Sequence, residues 1–195
     1  MDPINLALNI TSAKYGHLYN WKWHEESVKS YGKYALDYIG SGKQILDIGY
    51  GFGTISIAAC LACNNVTAVD LFMPPPQFFD INWMYPYDVQ CPDFILEQKF
   101  DNILMLEVLE HFNFDITETL LRLVKMLKPK GHLIIATPDK IRYNENLPDI
   151  NLPTYKYNAK IRDAHIKFYD ENDLDFVNIV SKIEIGPRNI FIIGG

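Results

Sequence analysis

The stretch from Gln44 to Cys63 constrains this chain more than any other. An apolar run, Gln44–Gly49, overlaps the segment Asp47-Ile48-Gly49-Tyr50-Gly51-Phe52-Gly53, and Thr54–Cys63 follows, rich in alanine. The first run is short, continuous and stopped by glycine, which predicts a buried strand. The last predicts a helix. Glycine at every second position of the connection permits backbone angles and a close approach that a Cβ would block. The amides opening the helix can then face a ligand. The spacing therefore predicts a strand–turn–helix unit with a binding site at its bend.

The rest of the chain repeats that alternation. Asn65–Asp70, Ile81–Tyr85, Asn102–Leu106 and His132–Thr137 read as further strands, the last two continuous enough to be buried on both faces. His24–Ile39 carries Val28, Tyr31, Ala35 and Tyr38 at helical spacing and stops at Gly40-Ser41-Gly42. Asp115-Ile116-Thr117-Glu118 has capping-box form, with Leu120, Leu123, Val124 and Leu127 as one stripe ahead of Lys128-Pro129-Lys130-Gly131. Asp170 is placed to cap a last helix, Glu171–Val180, and Lys182–Ile185 and Asn189–Ile193 form an antiparallel pair about a turn beginning Gly186-Pro187. Strands alternating with helices predict an α/β fold, a doubly wound sheet, mostly parallel, with an antiparallel C-terminal edge strand. Pro74-Pro75-Pro76 forbids a helix after the second strand, so an extended crossover is expected there. Residues 138–162 form a long tyrosine-rich connection, a length that in a compact domain is usually functional or mobile.

At 195 residues and 48% hydrophobic, the chain suits one domain, residues 1–195, with 1–42 as an N-terminal lid and helix and 43–195 as the core. Residues 1–10 lack a basic segment followed by an apolar one, and no apolar run spans a bilayer, so a cytoplasmic protein is expected. The net charge of −6 argues against sequence-independent binding to phosphate backbones, and the cluster Lys125, Lys128, Lys130, Lys140 and Arg142 reads as a solvated face. Three cysteines make no disulfide framework. Cys60 and Cys63 lack partners to complete a zinc site and read as buried filler.

A lone G-x-G-x-G says little about its ligand. Here the strand context, the preceding Asp47 and a second acid, Asp70, at the end of the next strand sharpen it, since an acid there suits two ribose hydroxyls. The acid-first form D-x-G-x-G-x-G resembles the class I S-adenosylmethionine-dependent methyltransferase family rather than the G-x-G-x-x-G of nicotinamide enzymes. KFDNILMLEVLEHF and LLRLVKMLKPKGHLIIATPD extend the likeness, which runs from near Gly42 to the C-terminus and departs at the proline run. It implies a Rossmann-like core. It also implies a cofactor site of Asp47, Gly49, Tyr50, Gly51, Gly53, Asp70, Leu71, Asp88 and Glu107: Asp47 at the methionine ammonium, Asp70 at the ribose, Asp88 at the adenine amino group.

Methyl transfer from a sulfonium needs alignment and dryness more than protein chemistry. A base is required only where the acceptor must shed a proton. Ligands in such sheets sit beyond the strands' carboxyl ends, where Glu107-Val108-Leu109-Glu110-His111 follows the fourth strand. A helical turn would put Glu107, Glu110 and His111 on one face, either to bind a divalent cation, magnesium or manganese, or to orient His111 as a base. This E-x-x-E-H is similar to that of ubiquinone-biosynthesis O-methyltransferases and of small-RNA 2′-O-methyltransferases, in which a later histidine joins the metal; His165 stands in that place. His111, His165 and Glu110 are thus the catalytic candidates, and Glu107, Glu110, His111 and His165 the metal candidates. Tyr15, Tyr19, Trp21 and Trp23, ahead of the first helix, and Tyr143, Tyr155 and Tyr157 in the long connection form an expected lid over an apolar acceptor. The leading reading is O-methylation of a small molecule. RNA 2′-O-methylation with a metal, and a non-catalytic methyltransferase-like binding protein, are the alternatives.

Overall fold

The structure, a computed structural model, describes residues 2–18, 20–76, 80–112, 115–139 and 165–195. Five parallel strands, β1 (Gln44–Ile48), β2 (Asn65–Val69), β3 (Asn82–Met84), β4 (Phe100–Leu106) and β5 (Leu127–Pro138), are completed by β6 (Ile179–Ile185) and β7 (Arg188–Gly194). Their order is β3-β2-β1-β4-β5-β7-β6. The chain builds outward from β1 through β2 to β3, then returns to β4 on β1's other side, so a crevice opens between the carboxyl ends of β1 and β4. β7 runs antiparallel to both β5 and β6. The last strand therefore lies inside the sheet and β6 is the edge. Their side chains agree: β7 is buried almost throughout, whereas β6 alternates in the two-residue period of a half-covered strand.

Alternate residues of each strand feed two apolar layers. Ile45, Leu104, Ile134 and Ile190 pack against α1 (Pro3–Tyr15), α2 (Trp21–Ser27), α3 (Lys33–Ile39) and α4 (Thr54–Leu61). Leu46, Ile103, Leu133 and Phe191 pack against α5 (Ile116–Lys125) and the turn before it. The expected α/β class and doubly wound sheet are thus present. Among the described residues no helix is long and apolar enough to cross a membrane.

The differences from expectation have local causes. α1 was not anticipated; Asp2 caps it by accepting from the Ile4 amide, with Pro3 in the first turn. Tyr15, Trp21 and Trp23 consequently lie within helices rather than ahead of them. The helix expected over 24–39 begins at Trp21 and passes through a π-helical turn, Val28–Gly32, where a Cβ on Gly32 would meet Ile55 Cδ1 at 2.7 Å. Asp115 caps α5 through the Thr117 amide, at 2.8 Å, without the returning bond from Glu118 among the described residues. Lys128–Gly131 belongs to β5, with Lys130 at φ 67°. The last helix is only a 3₁₀ turn, Glu171–Leu174, held by the Asp170 capping box, because Ile179 onward pairs with β7. Pro74–Pro76 is free of helix, as the prolines require. Cys60 is half-buried and Cys63 exposed at φ 64°, so the reading of both as buried filler fails for Cys63.

Candidate functional site

At the end of β1, Gly49 takes φ 71° and its amide donates to the Val69 carbonyl at 2.7 Å; a Cβ there would stand 2.4 Å from Val108 Cγ2. Only glycine supports both the angle and the approach. Above Gly51, by contrast, a Cβ would meet nothing within 4 Å: the loop faces open space. Asp70 shapes that loop from the end of β2. Its Oδ2 accepts from the Gly51 amide at 2.9 Å, and its Oδ1 from the Phe72 and Met73 amides at 2.7 and 2.9 Å. A carboxylate has lone pairs to spare beyond these three. Tyr50 is pinned by its hydroxyl donating to the Met73 carbonyl and by an edge-on contact with Trp83.

Asp47 is buried beneath the loop and accepts from the Ser56 hydroxyl in the first turn of α4. Burial, aided by the charge of Asp70 and opposed by Ser56, pushes its carboxyl up to about 7. The folded chain therefore holds this proton more tightly than the unfolded one, so Asp47's stabilising contribution is complete at low pH. That contribution drains away between about pH 4 and 7, on the order of 4 kcal/mol. Melting temperature of the ligand-free protein is expected to fall across that window, and Asp47→Asn, which cannot ionise, to flatten the slope. Parallel slopes for the two proteins would refute the assignment.

The loop opens into a cavity of about 640 Å³. Asp47, Gly49, Tyr50, Gly51, Asp70, Leu71 and Asp88 line one part of it; Glu107, His111 and His165 line another. Gly53 and Glu110 do not reach its surface. Gly53, at φ 79°, precedes α4, and a Cβ there would press on Pro76 and Trp83. Asp88 is half-buried, its Oδ1 accepting from the Gln90 amide at 2.9 Å.

The acidic trio beyond β4 is divided. Glu107 adopts φ 57° and Leu109–His111 forms a 3₁₀ turn, so no continuous helical face carries all three. Glu107 instead turns to Arg188 at the start of β7, whose Nε donates to its Oε2 at 3.0 Å with both side chains nearly sealed from solvent. The Arg188 guanidinium also lies over the rings of Trp23 and Tyr31, at 5.4 and 5.2 Å. Burial pushes Glu107 up to about 7, against the pull of Arg188. Glu110, wholly buried, is also held well above the usual carboxyl range by its burial and then by Glu107; its Oε2 accepts from the Thr137 hydroxyl at 3.2 Å. Glu110, His111 and His165 do come together, with ligand atoms within 4.8 Å of one another and the two imidazole centres 5.2 Å apart. Backbone bonds from Ile166 and Lys167 to the Glu110 carbonyl bring His165 there across the sequence. Glu107 stands outside this cluster.

The N-terminal helices cover the glycine loop by gripping Phe52. Tyr15 stacks on it at 4.9 Å, His24 meets it edge-on at 4.8 Å, and Trp21 lies 5.8 Å away. Tyr15 and Trp21 are therefore anchors, whereas Trp23 lines the cavity with the unanticipated Leu18, Asn20 and His24. Arg188 carries no local signature, since its partner lies 81 positions earlier in the chain. Tyr19, Tyr143, Tyr155 and Tyr157 of the expected lid, Lys140 and Arg142 of the basic cluster, and the connection 140–164 lie outside the described residues.

Comparison with known proteins agrees with this geometry. Residues 21–176 match the family described as "Methyltransferase domain". The ubiquinone biosynthesis O-methyltransferases of Rickettsia bellii are 30% identical over 111 residues, covering 52% of this chain and 45% of theirs. That of Rickettsia prowazekii is 33% identical over 105 residues, covering 51% and 41%. The chain thus spans less than half the length of these curated relatives. Among solved structures, the 1,6-didemethyltoxoflavin-N1-methyltransferase of Burkholderia thailandensis has a TM-score of 0.66 at 17% identity, covering 100% of this chain and 90% of its own. The N-methyltransferase NodS of Bradyrhizobium japonicum, with S-adenosylhomocysteine bound, has a TM-score of 0.64 at 16% identity, covering 100% and 99%. With a family match over most of its length and this sheet order, the chain belongs to the methyltransferase-domain family, of the class I S-adenosylmethionine-dependent kind.

Proposed function

We propose that this chain binds S-adenosylmethionine over the Asp47–Gly53 loop and passes its methyl group to an oxygen of a small-molecule acceptor. One observation carries the reading: a single cavity joins the loop, Asp70 and Asp88 to a second wall of Trp23, Tyr31, Glu107, His111 and His165. Cofactor and acceptor thus share one chamber, which is what an in-line displacement needs. The residues fit the cofactor: Asp47 would hold its ammonium, the open space above Gly51 would let it approach the backbone, Asp70 would take the ribose hydroxyls, and Asp88 and Leu71 would flank the adenine. When bound, the cofactor would supply a sulfonium methyl group for the acceptor oxygen, with the S–C electron pair returning to sulfur. The acceptor's proton passes to His111, which lies beside buried Glu110, with Nε2 3.9 Å from Oε1. Transfer to oxygen rests on the curated relatives, named O-methyltransferases, which stand nearer in sequence than the N-methyltransferase structures.

A second reading, a divalent cation held by Glu110, His111 and His165, draws on their convergence. Such an ion would polarise the acceptor oxygen. Calorimetry with S-adenosylhomocysteine, followed by labelled-methyl transfer to a phenol panel and to short RNA with and without chelator, tests both. Binding with chelator-insensitive phenol methylation is the expected result; chelator-sensitive transfer to RNA favours the second reading, and absence of cofactor binding overturns both.

A further inference from the structure

His24 stands on α2, outside the segments so far assigned to the cofactor, yet it packs against Phe52 of the glycine loop and lines the cavity. Its Nε2 lies 2.8 Å from the Thr54 hydroxyl, which lies 2.9 Å from the Thr11 hydroxyl, which lies 2.9 Å from the Ala7 carbonyl. Each of these three contacts needs one hydrogen, because two lone-pair atoms, oxygen or nitrogen, at such a distance repel without one. A carbonyl cannot supply it, so Thr11 donates to Ala7. Thr54 must then donate to Thr11, leaving only His24 Nε2–H to donate to Thr54. The reverse direction leaves the Thr11–Ala7 contact with no hydrogen at all. Burial holds the ring's affinity for a second proton down, to about 4. The imidazole is therefore neutral with Nε2 protonated, and Nδ1 is a bare lone pair.

That lone pair has no partner among the described residues, although Phe52 and Trp21 pack about the ring. His24 is half-buried and lines the cavity, so that lone pair is open to a ligand there rather than sealed inside the protein. What meets it must be a donor, since a lone pair repels a carboxylate. His24 and Asp47 are both fastened to the first turn of α4, through Thr54 and Ser56, whereas Asp70 works on the loop through Gly51 and residues 72–73.

Resting on the cofactor reading above, we propose that His24 is a cofactor-binding residue whose Nδ1 accepts a hydrogen bond from the ammonium of the cofactor's amino-acid end. Asp47 and His24 then receive that ammonium from the two sides of the α4 terminus, one by charge and one by a directed lone pair. His24 fixes the amino-acid end, and not the adenosine, to the N-terminal helices that cover the loop.

The test is calorimetry on the full chain with two ligands, S-adenosylhomocysteine and 5′-methylthioadenosine, which lacks the amino-acid end. His24→Gln keeps a donor for Thr54 and loses the Nδ1 acceptor; His24→Asn does the opposite. His24→Gln is expected to weaken S-adenosylhomocysteine about tenfold, the loss of one charge-assisted bond, with methylthioadenosine unchanged. His24→Asn should keep the homocysteine affinity while its melting temperature drops. Unchanged S-adenosylhomocysteine affinity in His24→Gln, equal weakening of both ligands, or loss in both variants alike overturns the inference. A wild-type protein that binds no S-adenosylhomocysteine overturns the cofactor reading itself, before the variants are compared.

Discussion

Replacing Arg188 by alanine is expected to cost about 3–5 kcal/mol of folding stability, the usual penalty for stranding one charge of a buried pair. The guanidinium and the Glu107 carboxylate are about nine-tenths removed from solvent, and Glu107's other oxygen has no hydrogen-bond partner among the described residues. Arg188 also fills the space between Trp23 and Tyr31, so its removal opens a gap between α2, the π turn and the sheet. The cost depends on pH with a definite sign. Glu107 already titrates near 7 with the guanidinium beside it, and without it the carboxyl moves higher still. At low pH the stranded group is neutral and the penalty is mostly the lost packing. As pH rises past 7 the folded state must keep a proton that the unfolded chain releases, so the penalty grows. Denaturant melts of wild type, Arg188→Ala and Arg188→Met/Glu107→Gln check this. The double variant, with no buried charge and a long apolar stem in place, should recover most of the loss. An Arg188→Ala protein within about 1 kcal/mol of wild type at pH 8 would show the pair to be solvated rather than buried.

Asp70→Ala should weaken S-adenosylhomocysteine at least about 100-fold, or about 3 kcal/mol, the sum expected from losing charge-assisted bonds to two hydroxyls. The same carboxylate accepts from the amides of Gly51, Phe72 and Met73 and so ties the loop after β1 to the loop after β2. Its loss removes both the ligand's acceptor and the strut that holds the loop open. Asp70→Asn separates the two: one oxygen still accepts from Phe72 and Met73, but an amide donor now faces Gly51. Its affinity should fall between those of wild type and alanine. Calorimetry within threefold of wild type for Asp70→Ala would remove Asp70 from the ribose role.

The features readable from the amino-acid order are those whose causes are local. Gly49, Gly51 and Gly53 all take positive φ, a backbone demand met within the loop itself, and Asp47 and Asp70 are placed by the ends of the two strands that flank it. Apolar runs located the strands because a strand buried on both faces excludes polar residues wherever it pairs. The last helix failed for the same reason in reverse. Leu174 and Val177 share helical spacing, but pairing of Ile179–Ile185 with β7 takes the chain before a helix can form.

The strand–turn–helix binding loop therefore follows from order alone, through steric freedom at glycine and period along strands and helices, and its methyltransferase reading from the resemblance of the D-x-G-x-G-x-G and EVLEH segments to that family. The partition beyond β4 does not. Glu107, Glu110 and His111 are equivalent by spacing, yet the fold gives Glu107 to Arg188 and leaves Glu110 and His111 to His165. Nor does the order show that His24 presents a bare Nδ1, which depends on Thr11 and Thr54 meeting across two helices. These contacts join residues tens of positions apart, and their energies come from burial, where a charge or lone pair must find its partner in space.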